Sequence, residues 1–304
     1  MTKLQRVLVA VDFSEPARAA FDHALALSRL HDAELTVVHA VPTDRKFNWY
    51  ARERIAVIGS LRGAAQEAGV RFKVSVQQGD PAGVILLHAT ARQADLIVLG
   101  SSERTGLDHF RFGSVAETVA LEATQPVLVV PAASGRSADS TTPFRNILVA
   151  VDFGEGSRAA VERALAMAEG NSRVTMVHVV RGVPLGYASR RLSGRMESEY
   201  QRHLVRDAWQ RIPELIPANA GAPSRLHARV VTGDPSVEIS RVASEIDADL
   251  ILTGVTARGA IGRFFMGSTA ARVMRTAGRP VLAVPRTDSR AAAPGHEHRL
   301  AVAA

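Results

Sequence analysis

The sequence predicts an α/β protein made of two tandem doubly wound domains, each with a five-stranded parallel sheet flanked by helices. Three observations carry this expectation. Short β-branched apolar runs alternate with longer segments of helical period, the order that builds parallel sheets through right-handed crossovers. The first run, residues 7–11, is almost continuously apolar, as a central strand covered on both faces must be. Nearly the whole pattern also occurs twice within 304 residues, a length that suits two domains of ordinary size.

Residues 7–11 form the first expected strand. Ser14 can cap the helix that follows, with Pro16 in its first turn and Ala19, Ala20, Ala24 and Leu27 along one stripe. Residues 35–41 read as a second strand and 71–77 as a third. The segment 82–93 reads as a helix with Val84, Leu87, His88 and Ala91 turned inward. Residues 96–99 are a fourth strand, followed by a glycine-containing loop and a helix over 114–122. Residues 127–130, ended by Pro131, complete the set.

The repeat is read directly. VLVAVDF, from Val7 to Phe13, returns as ILVAVDF, from Ile147 to Phe153, at an offset of 140. Val37-Val38-His39 answers Val177-His178 at an offset of 139. The offset then grows to 154, at which Gly79-Asp80-Pro81 answers Gly233-Asp234-Pro235. At that offset Ala94-Asp95-Leu96-Ile97 also answers Ala248-Asp249-Leu250-Ile251, and Pro126-Val127-Leu128 answers Pro280-Val281-Leu282. The second copy therefore holds about 15 extra residues between its second and third strands, where a helical connection tolerates length. Leu192, Met196, Tyr200, Leu204, Ala208 and Ile212 recur there at four-residue steps beside Trp209, which predicts a long amphipathic helix. The expected organisation is a first domain over 1–132, a polar small-residue linker over 133–143, a second domain over 144–286 and a disordered tail over 287–304.

Composition narrows the function. Zero cysteines exclude disulfides, thiolate metal sites and cysteine nucleophiles. The ten histidines show no metal-ligand spacing; His296 and His298 lie in the tail, and no metal site is expected. No apolar run is long enough to span a bilayer, and no secretory segment opens the chain, so a cytoplasmic location is expected. Residues 1–143 hold 15 basic and 15 acidic side chains, so the net charge of +7 falls entirely in the second half. Part of it lies between Arg181 and Arg211, including Arg190, Arg191, Arg195, Arg202 and Arg206. Such a stretch attracts anionic partners or is simply a solvated helix face; the solvated face is the favoured reading, and nucleic acid is not expected.

Ligands of parallel sheets bind beyond the carboxyl ends of the strands, where strand order reverses. Asp12 and Asp152 follow the first strands directly, and can accept hydrogen bonds from ribose hydroxyls or cap the following helix. After the fourth strands, Gly100 leads to Gly113-Ser114 and Gly254 to Gly267-Ser268, with the same thirteen-residue spacing. Glycine lets phosphate approach the backbone, and helix-start amides favour an anion. Ser114 and Ser268 can donate a hydroxyl to that phosphate or serve only as N-caps.

Taken together, the strand-Asp, Gly-Asp-Pro, Ala-Asp-Leu-Ile and Gly…Gly-Ser elements resemble the universal stress protein family over nearly the whole chain except linker and tail. The resemblance implies an adenine nucleotide alpha hydrolase-like fold, tandem fusion, and pairing as a homodimer or between domains of one chain. It implies ATP as the cofactor, held through G-x2-G-x9-G-[ST] after strand four. Asp12, Ala40, Gly100, Gly113, Ser114 and Val115 would line the first site. Asp152, Val179, Gly254, Gly267, Ser268 and Thr269 would line the second. Both copies depart from the pattern at its second glycine, with Glu103 in the first and Ala257 in the second. Glu103 sets a negative charge where a triphosphate would lie; Arg104 and Arg111 stand near it in sequence, and Arg258 and Arg263 flank the second loop. The second site is thus the better candidate. No Walker P-loop, H-x-G-H or G-x-S-x-G motif is present, so no dedicated enzyme is expected, at most weak ATP hydrolysis. The competing expectation is a nucleotide-free interaction module that kept the fold.

Overall fold

The structure is a computed structural model describing residues 4–42, 51–101, 113–132, 144–168, 170–182, 194–218, 225–257, 264–265 and 267–285. Its first half runs β1 (Arg6–Ala10), α1 (Glu15–His31), β2 (Glu34–Val41), α2 (Ala51–Glu67), β3 (Phe72–Gln78), α3 (Pro81–Ala91), β4 (Leu96–Gly100), α4 (Ser114–Glu122) and β5 (Val127–Val130). The second half repeats this as β6 (Asn146–Val151), α5 (Glu155–Met167), β7 (Arg173–Val180), α6 (Gly194–Arg211) with a 3-10 turn at Ile212–Leu215, β8 (Leu226–Thr232), α7 (Pro235–Glu245), β9 (Leu250–Ala257), the short β10 (Phe264–Phe265), α8 (Ser268–Thr276) and β11 (Val281–Pro285).

Two five-stranded parallel sheets are joined edge to edge. The strand order is β3-β2-β1-β4-β5-β11-β9-β6-β7-β8, and β10 pairs with β9 off this path. Every neighbour on the path is parallel except β5 and β11, which run antiparallel. Their register places Leu128 opposite Leu282, and these are equivalent positions of the repeat. A local twofold axis therefore passes between them, the geometry of a self-complementary dimer contact folded into one chain. Both leucines are about 1% exposed, each burial contributing roughly 2 kcal/mol.

The repeated sequence motifs have local structural reasons. Gly79 and Gly233 hold φ of +155° and +152°, which glycine alone adopts readily. Asp80 and Asp234 then cap α3 and α7, with proline in the first turn of each. Asp95 accepts from the amides of Gln5 and Arg6 at 2.7 and 2.9 Å, and Asp249 does the same for Arg145 and Asn146 at 2.8 and 2.9 Å. Those carboxylates satisfy backbone donors where the first strand of each half enters the sheet.

Helices cover both faces. Ala17, Ala20, Phe21, Ala24 and Leu27 of α1, Leu61 and Ala65 of α2, and Ala160, Val161 and Ala164 of α5 pack one face as a single core spanning both halves. The helices α3, α4, α7 and α8 cover the other face. The inward stripe of α3 differs from the sequence expectation. Ala82, Val84, Ile85 and Ala89 are buried, whereas Leu87 is 56% exposed and Ala91 is also exposed. This helix is apolar nearly all round, so its sequence gives no phase; packing against β2 chose the face. The insertion forms α6 as expected, with Ala208 and Ile212 buried and Tyr200 and Trp209 exposed. Leu192, the linker and the tail lie outside the described residues.

Candidate functional site

Each half brings its candidate residues to one end of its sheet. The β1–β2 ladder pairs Ala10 with Val38, and the β1–β4 ladder pairs Val9 with Val98. Continuing that register sets Asp12 level with Ala40, beside Gly100. In the second half Val151 pairs with His178 and Ala150 with Thr253, which sets Asp152 level with Val179, beside Gly254. Strand order reverses between β1 and β4, and between β6 and β9, where a crevice forms in such sheets. Because β5 and β11 are antiparallel, the two crevices open at opposite edges of the joined sheet.

The turn after each first strand is built alike. Asp12 Oδ1 accepts from the Ser14 amide at 3.0 Å and the Ser14 hydroxyl at 2.5 Å, and Ser14 Oγ accepts from the Ala17 amide. Asp152 Oδ1 accepts from the Gly154 amide at 2.9 Å and the Ser157 hydroxyl at 2.6 Å. One carboxylate oxygen thus braces the entry into α1 or α5. The other takes no hydrogen bond among the described residues, and both aspartates are exposed. Phe13 and Phe153 between these groups adopt left-handed φ of 67° and 64°, a conformation that costs a bulky residue about 1–3 kcal/mol. Each ring packs on a histidine, Phe13 on His39 at 4.6 Å and Phe153 on His178 at 4.4 Å between centroids. The histidines donate through Nδ1 to the Val11 and Val151 carbonyls at 2.7 and 2.9 Å. These four residues were not among the sequence candidates. Their signal was recurrence in both copies.

The glycines divide into two kinds. A Cβ on Gly100 would lie 2.4–2.7 Å from the backbone of Pro16 and Ala17, and one on Gly254 would lie 2.2–2.7 Å from Gly156. Their lack of a side chain is demanded by the strand–helix contact itself. Gly113 and Gly267 occupy N-cap positions with φ of −64° and −57°, open to any residue, and a Cβ on Gly267 would meet nothing within 4 Å. Among the described residues neither backbone strain nor packing requires glycine at position 267.

Ser114 and Ser268 are the first helical residues, not the N-caps, which corrects one of the two sequence readings. Among the described residues no side-chain hydrogen bond caps α4 or α8, nor α5, which Gly154 leads, whereas Ser14, Asp80 and Asp234 cap α1, α3 and α7. A helix start without a side-chain cap leaves leading amides that favour an anion, reinforced by the helix dipole. Val115 and Thr269 follow as second helical residues, half-buried, while Ser114 and Ser268 are exposed. The intervening loops, with Glu103, Arg104, Arg111, Arg258 and Arg263, lie outside the described residues, as does the Ala257 side chain. Among the described residues no cluster of His, Asp or Glu could hold a metal ion, and no helix is long and apolar enough to cross a membrane.

Comparison with known proteins agrees with this architecture. The pattern described as the universal stress protein family matches residues 3–131 and again 143–285. Universal stress protein YxiE of Bacillus subtilis is 32% identical over 144 residues, covering 41% of this chain and 97% of that protein. Universal stress protein MJ0531 of Methanocaldococcus jannaschii is 30% identical over 138 residues, 41% of this chain and 81% of its own. A universal stress protein from Archaeoglobus fulgidus has a similar crystal structure, with a TM-score of 0.66 at 19% identity, covering 93% of this chain and 98% of that one. At that identity the likeness speaks to fold alone. Two matches of the family pattern, each spanning one half of the joined sheet, establish that this chain belongs to the universal stress protein family and carries two of its domains.

Proposed function

We propose that this protein binds ATP or a related adenine nucleotide at the crevices beyond β1/β4 and β6/β9, more tightly in the second half, and uses occupancy to tune a stress response. The uncapped, glycine-led starts of α4 and α8 carry this reading, since they hold a phosphate without a competing side chain. Asp12 and Asp152, each with one oxygen uncommitted, would take the ribose hydroxyls, and Ala40 and Val179 would line the base. The family often binds adenine nucleotides, which supports the same assignment. Glu103 disfavours triphosphate in the first half by on the order of 1 kcal/mol in a wet site. Turnover plays no part beyond weak hydrolysis, and the protein acts in the cytoplasm. Isothermal calorimetry of the full chain with ATP and Mg²⁺ tests this. Binding that Asp152→Ala weakens more than Asp12→Ala is expected; a folded protein that takes up no ATP removes the proposal.

A second reading, a nucleotide-free paired scaffold, is favoured by Glu103 and Ala257 and by the internally satisfied β5–β11 edge. It is the outcome left standing if calorimetry is silent. Association of two whole chains through other surfaces belongs to either reading, and sedimentation velocity reads it directly.

A further inference from the structure

We propose that Arg211, at the end of the helix lengthened by the insertion, is a positioning residue for the second ligand site, holding the left-handed Phe153 turn that orients Asp152. The inference rests on the reading that Asp152 faces a nucleotide. The Arg211 guanidinium lies over the Phe153 ring, 4.4 Å from its centroid, well within cation–π range. His178 packs on the same ring, and its Nδ1 donates to the carbonyl of Val151, the residue before Asp152. Phe153 is thus gripped by two side chains from different elements, one in the sheet and one in the inserted connection. A strained backbone persists only where its surroundings over-determine it, and these contacts supply that constraint.

The anchor of Arg211 is itself fixed. Ile212 and Leu215, which follow it, are buried in the core shared by both halves. Arg158 of α5 donates to the Glu214 carbonyl at 3.3 Å, tying the same 3-10 turn to the helix that Asp152 introduces. The carboxylate of Asp207, one turn earlier in α6, approaches Arg211 at 3.8 Å and leaves the guanidinium on the ring. The Asp152 carboxylate holds Oδ1 on the Gly154 amide and the Ser157 hydroxyl across the left-handed Phe153, so a shift of that residue displaces the Gly154 amide from Asp152. Loss of the clamp therefore moves the oxygen that would meet the ligand.

The experiment uses the full chain carrying Ser114→Glu, which sets a carboxylate at the start of α4 and silences the first site. ATP affinity is measured by calorimetry in this parent, in Arg211→Ala, in Arg211→Lys, and in each combined with Asp152→Ala. Arg211→Ala is expected to weaken binding by up to about two- to fivefold, the range of an exposed cation–π contact, with a melting temperature lowered by no more than about 4 °C. Arg211→Lys, which keeps the cation, restores most of the affinity. In the Asp152→Ala background Arg211→Ala has no further effect. Unchanged affinity in Arg211→Ala, or a loss that persists in full without Asp152, overturns the positioning role alone. A parent that binds no ATP overturns this role together with the proposed binding in the second half.

Discussion

At the scale of single residues, glycines separate constraints that share one letter. Gly254 meets Gly156 backbone to backbone, and Gly100 meets Pro16 in the same way, so a methyl at either position must push a helix off its strand. Gly254→Ala and Gly100→Ala are each expected to cost about 1–3 kcal/mol, as overpacking does. Gly59, inside α2 with nothing within 4 Å of an added Cβ, is the control. Gly59→Ala is expected to stabilise by about 0.5–1 kcal/mol, since it removes only unfolded-state freedom. Urea titrations of the three variants read both signs, and equal shifts would contradict the packing account. The sequence showed where these glycines stand but not why. A Gly after a fourth strand looks the same whether it makes room for a phosphate or for Pro16, because the partner is some 80 residues away in the chain. The Phe13 and Phe153 turns were hidden for a related reason: left-handed φ is rare for phenylalanine, and contacts from distant elements on the ring, a histidine in both halves and Arg211 in the second, make it tenable.

At the scale of elements, legibility followed amphipathic contrast. The helix α1, with its alternation of alanine and charge, was readable in place and in face. The helix α3 was readable in place only, because Leu86 and Leu87 stand equally apolar on its two sides and the choice between them lies in β2 and β3. The starts of α4 and α8 were legible as Gly-Ser pairs, yet which residue serves as N-cap needed the backbone angles. Their lack of a side-chain cap is costly for a helix, since a capping oxygen and a first-turn carboxylate each add stability. Gly267→Asp supplies both in a conformation that aspartate adopts freely. It is expected to stabilise the protein by about 0.5 kcal/mol while abolishing nucleotide binding in the second half, because the new carboxylate occupies the place of the phosphate. Thermal melts and calorimetry on one preparation check both effects. A melting temperature that falls would contradict the open-amide description of this helix start.

At the scale of the molecule, the join between halves decides how the tandem behaves. Sequence supplied two copies but not their union, although residues 127–130 and 281–285 carry no charge of the kind that blunts a free edge strand. Equivalent positions across the axis are not chemically equivalent. Arg275 of α8 reaches Glu117 of α4 at 2.6 Å, whereas their repeat counterparts are Ala271 and Leu121, so only a first half joined to a second half makes this pair. Both partners are partly exposed, so Glu117→Arg alone is expected to cost no more than about 1 kcal/mol, recovered in the Glu117→Arg, Arg275→Glu double variant. The other face of the join carries a second asymmetry. Arg163 of α5 lies close enough to Asp95 of the first half to feel its charge, and the matching position in α1 is His23, which packs toward Phe144 of the second half at 6.5 Å between centroids. His23 is buried, and burial pushes its pKa below the ordinary histidine value, against the opposing pull of the Ala19 carbonyl and Asp22. A lowered folded-state pKa means that the unfolded chain takes up the proton first as pH falls. Stability from this group is therefore complete above about pH 6.5 and is lost below it, until the folded-state pKa is reached, at up to about 1.4 kcal/mol per pH unit. Urea titrations at pH 7.5, 6.5 and 5.5 should show a steeper acid loss in the unaltered protein than in His23→Gln, which cannot protonate. Since His23 spans the join, the difference should grow with the loosening of one half from the other, read as a second unfolding transition at pH 5.5 that the variant lacks. Parallel pH profiles for the two proteins would show that the charge state of His23 does not govern the join.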